Sequence, residues 1–230
     1  MNQQVINNTL NQIGQIVYSS TETKQHSFEI GKYVVDNNIE GAIIECGIAA
    51  GGNFASMILG VISNPSGLNR FFYGFDSFEG IQLAGKKDTV QAGIGAITHD
   101  VNVPESELLK SSGITCHPID QVIKNLKNFG LYDGLKINLI QGWVQNTITD
   151  EVASNIGKIA ILRLDMDIYD PTIYTLRKLY PFISEGGIVV IDDWALDGVR
   201  IACEEFFDEI GYHPEILTIP NSTPTYFYKK

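Results

Sequence analysis

The sequence predicts an α/β protein: a mostly parallel sheet with helices on both faces, closed at one side by a C-terminal antiparallel hairpin. Three stretches carry this reading. In the first, the apolar runs Ile159 to Leu164 and Ile188 to Ile191 flank a segment with Ile173, Leu176 and Leu179 at helical spacing. Strand, helix, strand implies a right-handed crossover between two parallel strands. In the second, Gly41 to Cys46 reads as a strand and Gly47 to Asn53 as a glycine-rich loop. A helix follows, with Phe54, Met57, Ile58, Val61 and Ile62 on one face. In the third, Glu215 to Ile219 and Thr225 to Tyr228 are strands joined by Pro220-Asn221-Ser222-Thr223-Pro224, the composition of a hairpin connection.

The remaining elements follow in chain order. Residues 1–40 form two helices, about Val5 to Val17 and Gln25 to Asn37, the second with Phe28, Ile30, Tyr33 and Val34 inward. They pack against the sheet edge, close a cofactor site or make a homo-oligomer contact, and the sequence does not choose. Arg70 to Phe75 is a strand ending in Asp76-Ser77. Residues 78–118 lack periodicity apart from a short helical stretch at Ser106 to Lys110, and an insertion of that length suits a lid or acceptor-binding loop. Its His99 and His117 read as surface or packing histidines. Ile119 to Phe129 is a helix with Gly130 as its C-cap, and Lys136 to Ile140 is a strand ending in Gln141-Gly142-Trp143. A short helix covers Thr149 to Asn155. Asp170 is placed to cap the crossover helix, with Pro171 as its first residue and Pro181 near its end. Val199 to Ile210 is the last helix. Nothing marks a second domain, so residues 1–230 are read as one.

Composition narrows the function. The formal net charge is −11, with no basic footprint for nucleic acid. Cys46, Cys116 and Cys203 are far apart and show no metal-ligand spacing, which fits a reducing compartment. The N-terminus is polar, without the apolar core of a signal peptide, and no run approaches the roughly 20 residues of a membrane span. A cytoplasmic protein without a membrane partner is expected.

The chemistry gathers where the parallel strands end. One strand runs into Asp165-Met166-Asp167 and its neighbour into Asp192-Asp193, at the edge where open α/β sheets bind ligands. So many carboxylates repel unless a positive charge sits among them. A hard divalent cation, Mg²⁺ or Mn²⁺, held by Asp165, Asp192 and Asp193 answers that need. Helix capping by one or two of them is the blander reading. The loop with Gly47, Gly51 and Gly52 places backbone N–H groups at a helix N-terminus, but it matches neither G-x-G-x-x-G nor a P-loop. Asp76 lies 24 residues beyond Gly52, where an acid suits a ribose diol. Glu45, the loop and Asp76 together favour an adenosine-containing cofactor over a purely structural turn. Trp143 either covers an adenine face or seals the core.

The residues of several segments occur in one order that resembles a known family. They are Ile44-Glu45-Cys46-Gly47 with Gly51-Gly52, Phe75-Asp76-Ser77-Phe78-Glu79-Gly80, Gly142-Trp143, Leu162 to Asp167, Tyr169, Leu179-Tyr180-Pro181, Gly186-Gly187 and Ile191-Asp192-Asp193. Over about residues 20–210 the chain resembles the macrocin O-methyltransferases. The resemblance implies a class I methyltransferase (Rossmann-like) fold and transfer of a methyl group from S-adenosylmethionine to a sugar hydroxyl, with Mg²⁺. It implies that Glu45, Gly47, Gly51 and Gly52 shape the methionine end of the cofactor site. Asp76, with Ser77 beside it, would hold the ribose, and Gly142 and Trp143 would border the adenine. Asp165, Asp192 and Asp193 become the metal ligands and Asp165 also the base. Metal-dependent catechol methyltransferases, which share the spacing of 27 residues between Asp165 and Asp192, carry a lysine where this chain has Ile168. A lysine base is therefore not expected. The acceptor is a small-molecule glycoside of unspecified identity. Two other readings remain at this stage: a D-x-D enzyme of another class, phosphatase or glycosyltransferase, and a non-catalytic methyltransferase-like binding module.

Overall fold

The computed structural model describes residues 1–88 and 104–230. Five strands run parallel: β1 (Ala42–Cys46), β2 (Phe71–Asp76), β3 (Lys136–Gln141), β4 (Ile159–Leu164) and β5 (Ile183–Ile191). An antiparallel hairpin, β6 (Leu217–Thr218) and β7 (Thr225–Tyr228), joins them through β5. The order across the sheet is β3-β2-β1-β4-β5-β7-β6. The central strands are buried on both faces, and every residue of β4 is buried, which is why they read as continuous apolar runs rather than alternating ones.

Helices cover the two faces. On one side lie α1 (Gln3–Ile13), α2 (Thr21–Asp36), α3 (Gly52–Ile62) and α4 (Ile119–Asn128), whose apolar residues meet Ile43, Phe72, Ile161, Ile188 and Val190. On the other lie α5 (Val144–Thr147), α6 (Asp150–Ile156), α7 (Tyr169–Leu179) and α8 (Asp197–Ile210), packed on Ile44, Phe75, Leu162, Val189 and Ile191. The neighbours within each strand thus serve opposite cores, as period-two geometry requires. Helices α2 and α3 touch backbone to backbone. A Cβ on Gly60 would stand 2.0 Å from the Phe28 carbonyl oxygen, and one on Gly31 2.3 Å from that of Met57.

Several boundaries differ from expectation. The first helix ends at Ile13 rather than Val17, and residues 14–20 instead run over the start of α3. Asp170 does not cap α7. The N-cap position is Ile168, whose side chain caps nothing, and Asp170 lies in the first turn with Pro171 after it. The cap comes from afar: the Asp88 carboxylate accepts the Tyr169 N–H at 2.7 Å and the Gly85 N–H at 2.8 Å. Strand β5 begins at Ile183, passing through Gly186 and Gly187, and β6 is only two residues long. The stretch at Ser106 to Lys110 is a single 3₁₀ turn over Glu105–Glu107. The insertion is rooted by a short antiparallel pairing in which Leu83 N–H donates to Lys110, Ser112 N–H to Ile81 and Ile81 N–H to Ile114. His99 lies outside the described residues.

His26 on α2 packs on Tyr226 in a tilted arrangement at 4.5 Å between ring centroids, and its Nδ1 has no partner among the described residues. Burial, helped by the positive charge of Arg163, lowers its pKa to about 4 from 6.5. The unfolded chain therefore binds a proton there at mildly acidic pH that the folded one refuses. Stability should be fully present above pH 6.5 and fall as pH drops toward 4, by roughly 1–3 kcal/mol from this residue. Urea unfolding of wild type and His26→Phe across that range should show a shallower acid loss in the variant. Parallel curves would remove His26 as the cause.

Candidate active site

The carboxyl ends of β1, β2, β3, β4 and β5 open into a cavity of about 500 Å³. Glu45, Gly47, Gly52, Asp76, Ser77, Gly142, Trp143, Asp165, Asp192 and Asp193 all line it. Gly51 does not. It stands behind the wall as the N-cap of α3, with φ +88 and Val122 beneath it.

The acids form the floor at the β4 and β5 ends. Ligand oxygens of Asp165, Asp192 and Asp193 lie within 4.8 Å of one another, close enough to share one cation. The backbone sets them there by continuing the sheet ladder. Asp165 N–H donates to the Cys46 carbonyl and Asp192 N–H to that of Leu164, both at 2.9 Å. Asp167 adopts φ +67 and gives its N–H to Asp193 at 3.0 Å. Burial, with Asp192 next, holds the Asp165 carboxyl well above the usual carboxylate range. Burial and the neighbouring acids do the same to Asp193, and Asp167 is pushed up to about 7. These shifts belong to a cluster whose balancing charge is incomplete, and a cation among them would reverse their direction.

Part of that charge is internal, and the sequence reading missed it. Arg163 stands opposite Glu45 in the parallel register of β1 and β4, on the α2–α3 face of the sheet. Its side chain has no solvent exposure. Nε donates to Glu45 Oε1 at 2.9 Å, and one Nη donates to Asp165 Oδ2 at 3.1 Å and to Asp192 Oδ1. Burial works against the charge on Arg163, but Asp192, Asp165 and Glu45 outweigh it and hold the guanidinium protonated. Glu45 is raised to about 8 because burial outweighs Arg163, and its buried Oε2 has no partner among the described residues. The sequence did hold a signal: one arginine inside the apolar run Ile159 to Leu164 cannot stay buried without acids around it.

The glycine loop lies against this acid floor. A Cβ on Gly47 would fall 1.8 Å from the Asp165 carbonyl oxygen, and its φ is +83, so only glycine fits. Asp76 braces the same loop. Its Oδ2 accepts the Ala49 N–H at 3.0 Å and its Oδ1 the Phe78 N–H at 2.7 Å. The Ser77 hydroxyl is spent locally, donating to Gly80 and accepting from Glu79. Trp143 is half-buried on the cavity wall rather than sealed in the core. Ile168 is buried, and among the described residues no lysine lines the cavity.

The rim comes from two distant parts of the chain. Residues 16–20 and 221–223 both border the cavity, and the Ser222 hydroxyl bonds to those of Ser20 and Thr23. Val17 lies so close over Gly52 that a Cβ there would stand 2.9 Å from it. His117 is half-buried, its Nε2 3.0 Å from the hydroxyl of Tyr18, which borders the cavity.

The profile of the macrocin O-methyltransferase family matches residues 23–229. The chain belongs to that family. The match extends past the motifs noted in the sequence and takes in the C-terminal hairpin. Among curated relatives, the tetracenomycin-C 4'-O-methyltransferase of Streptomyces olivaceus, named for its 2,3-dimethoxy-α-L-rhamnosyl compound, is 30% identical over 186 residues. Demethyldecarbamoylnovobiocin O-methyltransferase of Streptomyces niveus is 27% identical over 187. Each alignment takes in 81% of this chain but 65% of the relative, so the chain spans under two thirds of their length. The solved structure of the O-methyltransferase NovP superposes with a TM-score of 0.73 at 25% identity, covering 92% of this chain and 81% of NovP. The fold is the class I methyltransferase fold expected of the family.

Removing Arg163 would leave Glu45, Asp165 and Asp192 without their internal counter-charge. Arg163→Met should destabilise the fold by about 3–5 kcal/mol, the usual cost of breaking a buried ion pair from one side. Arg163→Lys keeps charge but not the fork and should fall between. Urea unfolding free energies decide it, and a loss under about 1 kcal/mol in the Met variant would contradict the assignment.

Proposed function

We propose that this protein transfers a methyl group from S-adenosylmethionine to a hydroxyl of a sugar or other vicinal diol. In this reading Asp165, Asp192 and Asp193 hold Mg²⁺ or Mn²⁺. The observation that carries it is the convergence of three aspartates on the floor of a cavity, directly beside a glycine loop braced by Asp76. The rhamnosyl compound in the name of the Streptomyces olivaceus relative supports a glycoside as acceptor. The protein would work as a cytoplasmic domain on a small-molecule glycoside, contacted by the insertion at 78–118, of which residues 89–103 lie outside the described ones.

Each residue has a distinct task. Asp76 accepts the Ala49 N–H of the loop on one oxygen and the Phe78 N–H on the other, and carboxylate oxygens keep lone-pair room to offer a ribose hydroxyl. Glu45 Oε2, buried and unpartnered, suits the ammonium of the methionine end. Gly47, Gly51 and Gly52 keep the loop low enough for close approach, and Trp143 offers an aromatic face to the adenine. S-adenosylmethionine would supply an electrophilic methyl, and the divalent cation the Lewis acidity that brings a sugar hydroxyl toward ionisation. Arg163 holds Asp165 Oδ2, which leaves Oδ1 to accept the hydroxyl proton. The contact between Gly47 and Asp165 fixes the cofactor loop against the acids, so the rate gain comes largely from orientation.

Two measurements test this. Methyl transfer to a panel of glycosides should vanish in EDTA and return with Mg²⁺ or Mn²⁺, and Asp165→Asn should lower kcat by at least about 10²-fold. Full activity in EDTA, or an undiminished Asp165→Asn enzyme, would overturn the metal mechanism. Separately, Asp76→Asn should weaken binding of S-adenosylhomocysteine by roughly 1.5–3 kcal/mol in calorimetry. Unchanged affinity would take Asp76 out of the cofactor site.

A further inference from the structure

Asp88 does more than cap one helix. It is 6% exposed and lies outside the lining of the cavity. Its Oδ1 accepts the N–H of Tyr169, the first residue of α7. The same oxygen abuts Gly198, the second residue of α8, where a Cβ would fall 1.9 Å from it. Alanine favours a helix over glycine, so the missing Cβ is explained by the space the carboxylate takes. The acid is itself held in place by a turn. Gly85 N–H donates to its Oδ2 at 2.8 Å, and Asp88 N–H donates back to the Gly85 carbonyl at 3.1 Å. One buried negative charge thus sits between the N-terminal ends of two helices, where it is favoured by both.

Those two helices start directly after the acid floor. Tyr169 follows Asp165 by four residues, and Asp197, which opens α8, follows Asp193 by four. Each of these short loops is tied at its strand end by the sheet ladder, through Asp165 N–H and Asp192 N–H. At the helix ends both come to Asp88. The loops also meet each other, since Asp167 N–H donates to the Asp193 carboxylate. A second tie joins the same helices on the outside. Lys87 Nζ donates to the Tyr169 hydroxyl and to Glu205 of α8, each at 2.7 Å. Lys87 and Glu205 are 45% and 40% exposed, so that pair contributes little, and the buried Asp88 carries the connection.

We propose that Asp88 is a positioning residue for the divalent cation: by holding the starts of α7 and α8 at a fixed distance, it sets the separation of Asp165 from Asp192 and Asp193. The proposal rests on the metal reading above and adds to it a residue that touches neither cation nor substrate. Mg²⁺ tolerates little departure from octahedral geometry, so a small spread of the two loops should cost affinity. Groups that orient metal ligands are typically worth 10–100-fold in metal binding. Nothing in the arrangement ties Asp88 to the glycine loop or to Asp76, and cofactor binding should not feel its loss.

The test measures Mn²⁺ alone binding to the full chain, from the paramagnetic resonance signal of the free ion. Uptake by the double variant Asp192→Asn with Asp193→Asn is subtracted as background. S-adenosylhomocysteine affinity by calorimetry and unfolding midpoints are recorded for every protein. Asp88→Ala should weaken Mn²⁺ by about tenfold or more. Its S-adenosylhomocysteine affinity should stay within about twofold of wild type. Asp88→Asn keeps an oxygen for one N–H but turns an NH₂ toward the other, so it should fall between. Gly198→Ala leaves Asp88 in place but drives a methyl into its carboxylate, and it should weaken Mn²⁺ by about threefold or more. These two variants decide the matter if Asp88→Ala does not fold. Unchanged Mn²⁺ affinity in the folded variants, or parallel weakening of Mn²⁺ and S-adenosylhomocysteine, would overturn the positional role and leave the metal reading intact. No uptake by wild type above background would overturn the metal reading and this role with it.

Discussion

The guanidinium of Arg163 is the constraint around which the site is built. It is a full charge in a strand with no solvent exposure, and three carboxylates from β1 and from the ends of β4 and β5 close on it. Removing any one partner would strand charge in a low-dielectric interior. The arrangement holds only if β1, β4 and β5 are neighbours and in register. A slip of one residue between β1 and β4 would turn Arg163 to the opposite face, away from Glu45. The same network that orients Asp165 and Asp192 therefore also penalises mispairing at the centre of the sheet.

The coupling extends to the loop. Gly47 follows Glu45 by two residues, and Asp165 follows Arg163 by two, so the strand pair that carries the buried ion pair also carries the backbone contact between Gly47 and Asp165. Neither loop can shift without disturbing the other. A group bound over the glycines and a group bound over the aspartates are thereby held at a fixed separation by main chain rather than by flexible side chains. Reactions that depend on in-line approach gain most from that kind of rigidity.

Much of this could be read from the residues. Strand β4 has the predicted ends because an apolar run stops abruptly at an acid, and the same abrupt change exposed Asp165, Asp192 and Asp193 as a group. Asp76 and the glycine loop were found for the same reason: each interrupts a hydrophobic pattern at a strand end. What escaped was non-local. Asp170 looked like the cap of α7 because local rules see only neighbours, whereas the acid that serves is Asp88, 81 residues before the Tyr169 whose N–H it accepts. Arg163 was passed over because a strand pattern records its position but not the acids that pair across strands. The course of residues 14–20 over Gly52 is likewise set by packing, with no periodic signal to announce it.

The rim, stitched by hydroxyls of Ser20, Thr23 and Ser222, has a consequence for how the protein is made. Synthesis is vectorial, and residues 16–20 leave the ribosome long before residues 221–223. Until the later segment emerges, the early one rests on α3 alone and the rim stays open on the side of residues 221–223. Strand β5, too, must wait for β7 to cover its open edge. Between the emergence of β5 and that of residues 221–223 the nascent chain thus carries an unfinished, partly apolar cleft, a state exposed to misassociation. Ligand binding that needs both walls cannot begin before translation has passed residue 223.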